Sequence, residues 1–396
     1  MNHPDLKRRS DETALDYKYR ICRDKDLLGL HTWHDVAELL NKEFDQNWSE
    51  STYRKWFTYF DAGVQYGKEK FTTDEYLQML ESKTIQFQKE KIKFQDQKRE
   101  FSNLIRKQAR FEHLKDEIYK AVLELEKKKP LEIKSEFHDV KGNTKANVLW
   151  SDWHVGADFK NSINEYNLSV FKERADLLLS KMIYHCRKFN VGQLTIGALG
   201  DFISGAIHVT TRIQSSEDAI KQVKIVAETI AEMLVALSDV VEEIRFIKVV
   251  GNHARLIPDK TQALLNENLE YLIPWYLEAR LRNFKNIKIT NSTDGYYVDE
   301  KFDSCHVYVH GDLDHVSSVA KNLPQFLGVV PRYIFCGHVH HDSLKEFGVT
   351  KVISNGSLMG VDDYSISKRF YAEPMQRMHV FDSEDRIEYH IPIYLN

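Results

Sequence analysis

The chain has 396 residues, of which 42% are hydrophobic and 29% are charged, a composition typical of globular proteins that fold in water. Its length predicts two or three folded units. Its net charge of −4 excludes a general attraction to nucleic acid, so any such affinity must come from local patches. The apolar runs are too short to cross a membrane, residues 1–10 hold no apolar signal core, and the four cysteines form no CxxC pair. We therefore expect a cytoplasmic protein with reduced thiols.

Residues 1–65 are predicted to form a small helical region. Thr32 and Ser49 are suited to cap the starts of two amphipathic helices, near residues 33–41 and 50–60. A short polar break joins these helices. The pattern fits a helix-turn-helix DNA-binding module, or a helical hairpin that only packs against another part of the protein.

The start of the second helix carries polar and basic side chains in a run from Ser49 to Lys55. This run resembles the opening of the recognition helix in small helix-turn-helix modules of phage and bacterial DNA-binding proteins. The resemblance covers about thirty residues, and it implies that Arg54 and Lys55 contact DNA.

Residues 66–130 are predicted to form a long helix or a partial coiled coil. The stretch 70–129 contains no glycine or proline, and Phe87, Phe94 and Phe101 recur every seven residues. Polar residues interrupt the heptads, so a partial coiled coil or a helical hairpin is favoured over a long uniform zipper. A partial coiled coil favours a homodimer.

The same stretch contains a basic run, which we define as residues 83–110. It holds nine lysines and arginines against three acidic residues. Such a run marks either a solvated helix face or a surface that contacts the phosphate backbone, which needs only clustered positive charge.

Residues 131–144 are predicted to be a linker, and residues 145–396 a catalytic domain of α/β class in which two packed β-sheets are flanked by helices. The predicted strands are 146–150, 193–199, 243–250, 287–290, 296–298, 306–310, 333–336, 352–355 and 378–381, and the predicted helices are 166–188, 217–240 and 261–282.

Acidic, amide and histidine side chains follow the ends of these strands. The blocks are Asp152-Trp153-His154, Gly200-Asp201, Gly251-Asn252-His253, His310-Gly311-Asp312 and Gly337-His338-Val339-His340. Open α/β sheets place their functional sites at the carboxyl ends of strands. Imidazole, carboxylate and amide groups make a mixed nitrogen and oxygen ligand set, which suits Mn²⁺, Fe or Zn²⁺ better than a thiolate site would.

The five blocks, in this order across about 190 residues, resemble the motif of the calcineurin-like metallophosphoesterase superfamily. The resemblance implies that fold, a four-layer sandwich, and a site for two divalent metal ions, Mn²⁺ first, with Fe, Zn²⁺ or Mg²⁺ as alternatives. It implies that Asp152, His154 and His340 bind one ion, that Asn252, His310 and His338 bind the other, and that Asp201 bridges the two. It further implies attack on phosphorus by a hydroxide shared between the metals.

The resemblance assigns His253 the catalytic role of contacting a phosphate oxygen or protonating the leaving oxygen. Many relatives carry an acid after the Gly-Asn-His block and an aspartate three residues after the bridging aspartate. This chain has Ala254 and Ser204 there. We therefore expect His253 to lack a carboxylate partner.

Further side chains near the blocks are candidates for substrate binding. His208 and Arg212 follow the Gly-Asp block, and Arg255 follows His253. A positive charge near a phosphate stabilises its binding.

The leading hypothesis is a nuclease that cuts DNA phosphodiester bonds. The catalytic region is similar to the DNA-repair exonuclease branch of the superfamily and to its phage-encoded members. That similarity implies the cytoplasm of a bacterium or of a phage-infected host, and it leaves a partner ATPase open. The alternatives are a phosphatase or phosphodiesterase for a protein or small-molecule phosphoester, and a DNA-binding protein with a weakly active metal site.

Overall fold

The computed structural model describes residues 4–70, 73–132, 142–205, 207, 215–300 and 305–396. The chain forms two compact units, Met1–Arg110 and Phe111–Asn396. Among the described residues, no helix is long and apolar enough to cross a membrane.

The first unit begins with three helices, α1 (Ala14–Arg23), α2 (Trp33–Phe44) and α3 (Glu50–Lys70). Thr13 and Thr32 each form a capping box with an aspartate three residues later, which fixes the starts of α1 and α2. Their apolar faces meet in a core that includes Tyr17 and Leu40. The two helices predicted from residues 33 and 50 are confirmed, whereas α1 was missed by the sequence analysis.

Helix α4 (Thr73–Lys127) is one continuous helix of 55 residues. One helix thus fills most of the predicted stretch 66–130, residues 66–70 belong to α3, and the alternative of a helical hairpin within residues 73–127 is wrong. Towards its end, Ile118 and Leu125 pack against the core of the second unit, and Glu124 pairs with Lys224. The coiled coil stays a prediction. Most of the predicted linker, residues 133–141, lies outside the described residues.

The second unit contains a six-stranded sheet with the strand order β13-β12-β1-β4-β5-β6. Strands β1, β4, β5 and β6 are parallel, and β12 and β13 are antiparallel additions at one edge. The strands are β1 (Thr144–Trp150), β4 (Val191–Ala198), β5 (Glu243–Lys248), β6 (Ile287–Asn291), β12 (Met375–Phe381) and β13 (Ile387–Tyr394). A two-stranded hairpin, β2 (Phe159–Lys160) and β3 (Glu165–Tyr166), follows β1.

A five-stranded sheet has the strand order β10-β11-β9-β8-β7. Strands β8, β9 and β11 are parallel, with β7 and β10 antiparallel at the edges. The strands are β7 (Tyr296–Asp299), β8 (His306–Val309), β9 (Tyr333–Cys336), β10 (Ser343–Phe347) and β11 (Thr350–Ser354).

The two sheets pack face to face with helices outside. Leu149 and Ile247 meet Tyr308 and Phe335 between the sheets. The outer face of the larger sheet packs on α5 (Leu168–Lys188), α6 (Ala219–Ser238) and α7 (Leu272–Arg280), and that of the smaller sheet on α8 (Val319–Leu327). A short helix, α9 (Asp363–Lys368), precedes β12. The predicted class, two packed sheets flanked by helices after an all-helical region, is confirmed.

The helix predicted over residues 261–282 is wrong in its first half. Only a 3₁₀ turn at Leu269–Tyr271 and helix α7 are helical there. Asp259 accepts a hydrogen bond from the backbone N–H of Thr261, and Asn268 accepts one from Glu270. These local side-chain bonds offer the backbone an alternative to a helix, which explains the turns.

Candidate metal centre

The candidate ligands lie together at the carboxyl ends of five strands. Asp152 follows β1, Asp201 follows β4, and Asn252 follows β5 in the larger sheet. His310 follows β8 and His338 follows β9 in the smaller sheet. Because the sheets pack face to face, these ends form a single site.

The backbone at the site is held in a sparsely populated conformation. Nine non-glycine residues among those described have positive φ, and five of them are candidate ligands: Asp152 (55°), His154 (47°), Asp201 (54°), His338 (67°) and His340 (60°). Such residues carry strain that the surrounding structure must offset, and they concentrate at functional sites.

Two glycines allow the loops after β4 and β5 to approach each other. A Cβ added to Gly200, which has φ of +89°, would lie 2.3 Å from the backbone nitrogen of Gly251. A Cβ added to Gly251 would lie 2.2 Å from a carboxylate oxygen of Asp201. Neither loop could hold its present position with a side chain at these two places.

The first cluster of donors comprises Asp152, His154 and His340. The Nε2 atoms of the two histidines lie 3.0 Å apart, and His340 Nε2 lies 3.4 Å from Asp152 Oδ1. The backbone N–H of His338 donates to the Asp152 carboxylate, with N···Oδ2 of 3.0 Å. Asp152 and His154 are fully or nearly fully buried.

The second cluster comprises Asp201, His310 and His338, with Asn252 beside it. His310 Nε2 lies 3.0 Å from Asp201 Oδ2 and 3.1 Å from Asn252 Oδ1. His310 Nδ1 donates to the backbone oxygen of Leu199, which orients the opposite nitrogen towards these oxygens.

Asp201 belongs to both sides of the site. Its carboxylate groups with His310 and His338 on one side, and with His154 and His253 on the other. A single buried carboxylate between two sets of donors is the arrangement that a bridging ligand requires.

The charged side chains of the site shift one another's pKa values. Burial alone would raise the pKa of Asp201, but His310 and His253 beside it hold that pKa well below its usual range. Burial alone would lower the pKa of His310, but Asp201 raises it to about 10. Burial lowers the pKa of His154 well below its usual value, and positive charge on His253 and His340 would lower it further. The Asp201 carboxylate therefore favours positive charge beside it, while burial favours the neutral form of His154, which is the form that binds metal.

The donor set fits divalent metal ions. It supplies imidazole nitrogens, carboxylate oxygens and one amide oxygen, with no thiolate, which suits Mn²⁺, Fe or Zn²⁺. The close approach of the neutral His154 imidazole to His340 is also what two ligands of one ion would show.

His253 has a partner that the sequence analysis missed. Its Nδ1 donates to the backbone oxygen of Ser204, at 3.0 Å, and its backbone N–H donates to Asp201 Oδ1, at 2.8 Å. The Ser204 carbonyl thus holds the imidazole ring at Nδ1, while the backbone of the same residue is bonded to the Asp201 carboxylate. Fixing Nδ1–H in this way leaves Nε2 as the nitrogen available for chemistry.

A buried ion pair supports both loops around Asp201 and was also missed. Glu270 accepts hydrogen bonds from the backbone N–H of Phe202, at 2.6 Å, and of Gly251, at 3.1 Å. Lys248 Nζ donates to the same carboxylate at 2.6 Å, and neither side chain is exposed. The pair thus ties the residue after Asp201 to the residue before Asn252. Glu270 lies inside the helix predicted over residues 261–282, where a single charged residue gives no indication of this role.

Gln376 on β12 supports the loop of Asp152 in a similar way. Its Oε1 accepts from the backbone N–H of Ser151 at 2.9 Å, and its Nε2 donates to the oxygen of Gly356. Ser357 Oγ donates to the oxygen of Asp152 at 2.9 Å. Sequence spacing could not reveal these residues, because they lie more than 200 positions from the loop that they hold.

The other predicted contact residues are not part of this cluster as described. His208 and Arg212 lie outside the described residues. Arg255 is partly buried, and its guanidinium approaches the oxygen of Pro258 at 3.5 Å. Arg54 and Lys55 are exposed on α3 in the first unit. Their roles in binding substrate or DNA stay predictions.

Comparison with known proteins gives matches at two levels. A family model described as the YonJ N-terminal domain matches residues 2–72. The SPbeta prophage-derived uncharacterized protein YonJ of Bacillus subtilis (strain 168) is 28% identical over 391 residues, covering 95% of each chain.

Solved structures match part of the chain at low similarity. An archaeal phosphodiesterase is 13% identical and covers 63% of this chain and 99% of its own, with a TM-score of 0.33. Vps29 from Entamoeba histolytica, in complex with zinc, is 12% identical and covers 63% of this chain and 99% of its own, with a TM-score of 0.29. Likeness at this level does not indicate what this chain binds or cleaves.

Proposed function

We propose that the protein is a two-metal phosphoesterase that hydrolyses phosphodiester bonds in DNA. The observation that carries the proposal is the position of the buried Asp201 carboxylate between two sets of donors. A carboxylate shared in this way can hold two ions close together, which suits the clamping of a phosphorus centre during an in-line displacement.

The residues divide between the two ions as the donor sets do. Asp152, His154 and His340 would hold one ion, Asn252, His310 and His338 would hold the other, and Asp201 would serve both. Bound divalent ions supply positive charge that activates water and stabilises charge developing on the phosphate oxygens. The nitrogen and oxygen set favours Mn²⁺, with Fe, Zn²⁺ or Mg²⁺ as alternatives.

His253 stands at the edge of this site and is suited to handle a proton or a phosphate oxygen. Its ring lies 4.5 Å from the ring of His154, centroid to centroid, and the Ser204 carbonyl fixes its Nδ1–H. The Nε2 atom can then contact a phosphate oxygen or give a proton to the leaving oxygen.

DNA is proposed as the substrate because of charge elsewhere in the chain. In the basic run, the described lysine and arginine side chains on α4 are exposed: Lys83, Lys89, Lys91, Lys93, Lys98, Arg99 and Arg106. Arg54 and Lys55 are exposed on α3. Exposed clustered positive charge is what contact with a phosphate backbone requires.

The test compares a polymer with a generic substrate. Purified full-length protein is loaded with Mn²⁺ and incubated with labelled single- and double-stranded DNA, beside a chromogenic bis-phosphodiester. We expect hydrolysis of both kinds of substrate. Hydrolysis of the chromogen without any cleavage of DNA would favour a small-molecule phosphodiesterase, and hydrolysis of neither would overturn the proposal.

A further inference from the structure

An exposed aromatic segment lies next to the loop of Asp152. Three aromatic side chains within eight residues are largely exposed: Tyr364 (64%), Phe370 (62%) and Tyr371 (65%). They lie on and just after helix α9. We call residues 361–373 the aromatic loop.

The chain leading into the aromatic loop is bonded directly to the metal-binding loop after β1. Ser357 Oγ donates to the oxygen of Asp152 at 2.9 Å, and the backbone N–H of Met359 approaches the same oxygen at 3.4 Å. The backbone N–H of Ser357 also donates to the oxygen of His340, at 3.3 Å. The aromatic loop therefore starts at the rim of the candidate metal centre.

The loop is also fixed in place. Asp362 caps α9 by accepting from the backbone N–H of Ser365 at 2.8 Å. Asn161 and Asn164 donate to the oxygen of Val361 at 3.2 and 3.1 Å. Since α9 has six residues, which is about 9 Å of helix, the three aromatic residues follow this fixed start within a short length of chain.

We propose that the aromatic loop is a stacking surface for unpaired bases of a nucleic-acid strand whose phosphates enter the metal centre. This inference rests on the proposed function and names the form of the substrate, single-stranded DNA or a single-stranded end.

The chemistry of the surface favours this ligand. Aromatic side chains bind successive bases through their faces, and they do so without sequence preference. Lys368 and Arg369 are exposed between the aromatic residues and supply local positive charge for the phosphates, while the exposed acids of the loop, Asp363 and Glu373, lie outside the segment 364–371. In a duplex the faces of each base are covered by the neighbouring bases. Only unpaired bases can therefore stack on these rings.

The experiment compares single-stranded and duplex DNA of one sequence, with the chromogenic bis-phosphodiester as a reference. Full-length wild type and the triple variant Tyr364→Ala, Phe370→Ala, Tyr371→Ala are assayed with Mn²⁺. We expect the KM for single-stranded DNA to rise about a hundredfold, because each of the three lost stacking partners weakens binding about fivefold or more. The KM for the duplex should change about twofold at most.

Two further variants separate stacking from folding. Tyr364→Phe with Tyr371→Phe keeps the aromatic faces and should keep the wild-type KM for single-stranded DNA. Tyr184→Ala removes an aromatic that is 60% exposed on α5, and should change neither substrate's kinetics.

Several results would overturn the inference, and they differ in what they say of the proposed function. If the triple variant loses kcat/KM for chromogen and single-stranded DNA in the same proportion, the loop supports the metal centre and is no base-binding surface. If wild type hydrolyses the chromogen but not single-stranded DNA, the substrate form is wrong while the phosphoesterase stands. If it hydrolyses neither, both fail. If wild type is a dimer and the triple variant a monomer, the loop joins two copies instead.

Discussion

The two regions of the chain that the sequence marks as functional differ in how their polar side chains are held. In the second unit, Asp201, His253 and His310 are each bonded to backbone groups or to one another. Asp201 and His310 are also buried. In the first unit, Arg54 and Lys55 are exposed on one helix face. The side chains of the candidate metal centre are thus held in place by hydrogen bonds, whereas the basic surface of α3 offers only exposed positive charge.

That difference predicts two kinds of response to substitution. Removing a group from a preorganised, buried site leaves its partners unsatisfied, which costs a large free energy. Removing one charge from an exposed surface changes affinity by a small, salt-dependent amount. Each substitution below therefore tests whether the contrast holds.

The largest effect is expected at Asp201. Asp201→Ala removes the only carboxylate that groups with both donor sets among the described residues. We expect activity to fall by more than 10²-fold, since even residues that merely orient ligands cost about 10- to 100-fold. Metal analysis should show fewer bound ions than in wild type.

A matched control is His315→Ala, which removes an exposed histidine bonded to Ser317. It should keep both ions and full activity. An Asp201→Ala protein that binds two ions and hydrolyses the chromogen normally would show that Asp201 bridges nothing.

The second prediction concerns the ion pair under the loops. Glu270→Gln leaves Lys248 as a buried charge without its partner, which costs about 3–5 kcal/mol of unfolding free energy. It also weakens the hold on Phe202 and Gly251, so metal affinity should fall by about 10- to 100-fold. Thermal unfolding and metal titration measure the two effects.

Two variants make that prediction specific. Glu278→Gln changes an exposed glutamate on α7 and should alter neither quantity. Combining Glu270→Gln with Lys248→Met removes the stranded charge and should recover part of the stability without recovering the metal affinity. If metal affinity returns with stability, the pair has no positioning role.

The third prediction is His253→Ala. Because His253 contacts Asp201 through its backbone N–H, the side chain can be removed without removing that bond. We expect a rate loss on the order of 10²-fold with both metals retained, as is typical of a general acid. The loss should be greatest for substrates with poor leaving groups, and an equal loss for all leaving groups would favour a phosphate contact over proton donation.

The fourth prediction is a dependence of stability on pH. His306 is fully buried between the sheets, and burial lowers its pKa to about 3, against smaller opposing effects of Asp299 and Asp385. Between pH 3 and 6.5 the unfolded chain binds a proton that the folded chain does not. The stability due to neutral His306 is therefore complete above pH 6.5 and is lost as the pH falls towards 3.

The measurement is the unfolding free energy between pH 7 and 5, above the range in which most carboxylates titrate. Wild type should lose about 2 kcal/mol over this interval from His306 alone. His306→Phe suits the rings of Phe381 and Tyr333 that surround the site, and should show a smaller loss. His315→Ala, in which the histidine is exposed, should keep the wild-type slope.

Much of the fold and of the site was predictable from the sequence for a physical reason. Residues such as Asp152 and His338 follow buried strands, and strand ends in packed sheets must converge, so residue type and position together indicated the cluster. The residues that hold the cluster were not predictable. Glu270 and Gln376 act through contacts with backbone groups far away in the chain, which leave no pattern in their own neighbourhood.

The exposure of the aromatic loop could not be predicted from the sequence either. Tyr364 and Phe370 lie in a stretch with no strand or helix pattern, and an aromatic residue there is as consistent with a core as with a surface. Only the fold shows that they are exposed and that they follow the chain segment bonded to Asp152.

The smallest effect is expected at the basic face of α3, and it decides whether the first unit contacts DNA. Arg54→Gln with Lys55→Gln removes two exposed charges. In DNA-binding titrations at several salt concentrations, the slope of the logarithm of the binding constant against the logarithm of the salt concentration should become shallower by about two. The affinity for DNA at moderate salt should fall a few-fold. The control, Arg282→Gln with Lys285→Gln, makes the same change of charge on exposed residues of the second unit and should leave the slope unchanged. Equal slopes for the two double variants would mean that α3 does not contact the phosphates, and the helix-turn-helix prediction would then be wrong. That result would not bear on the candidate metal centre.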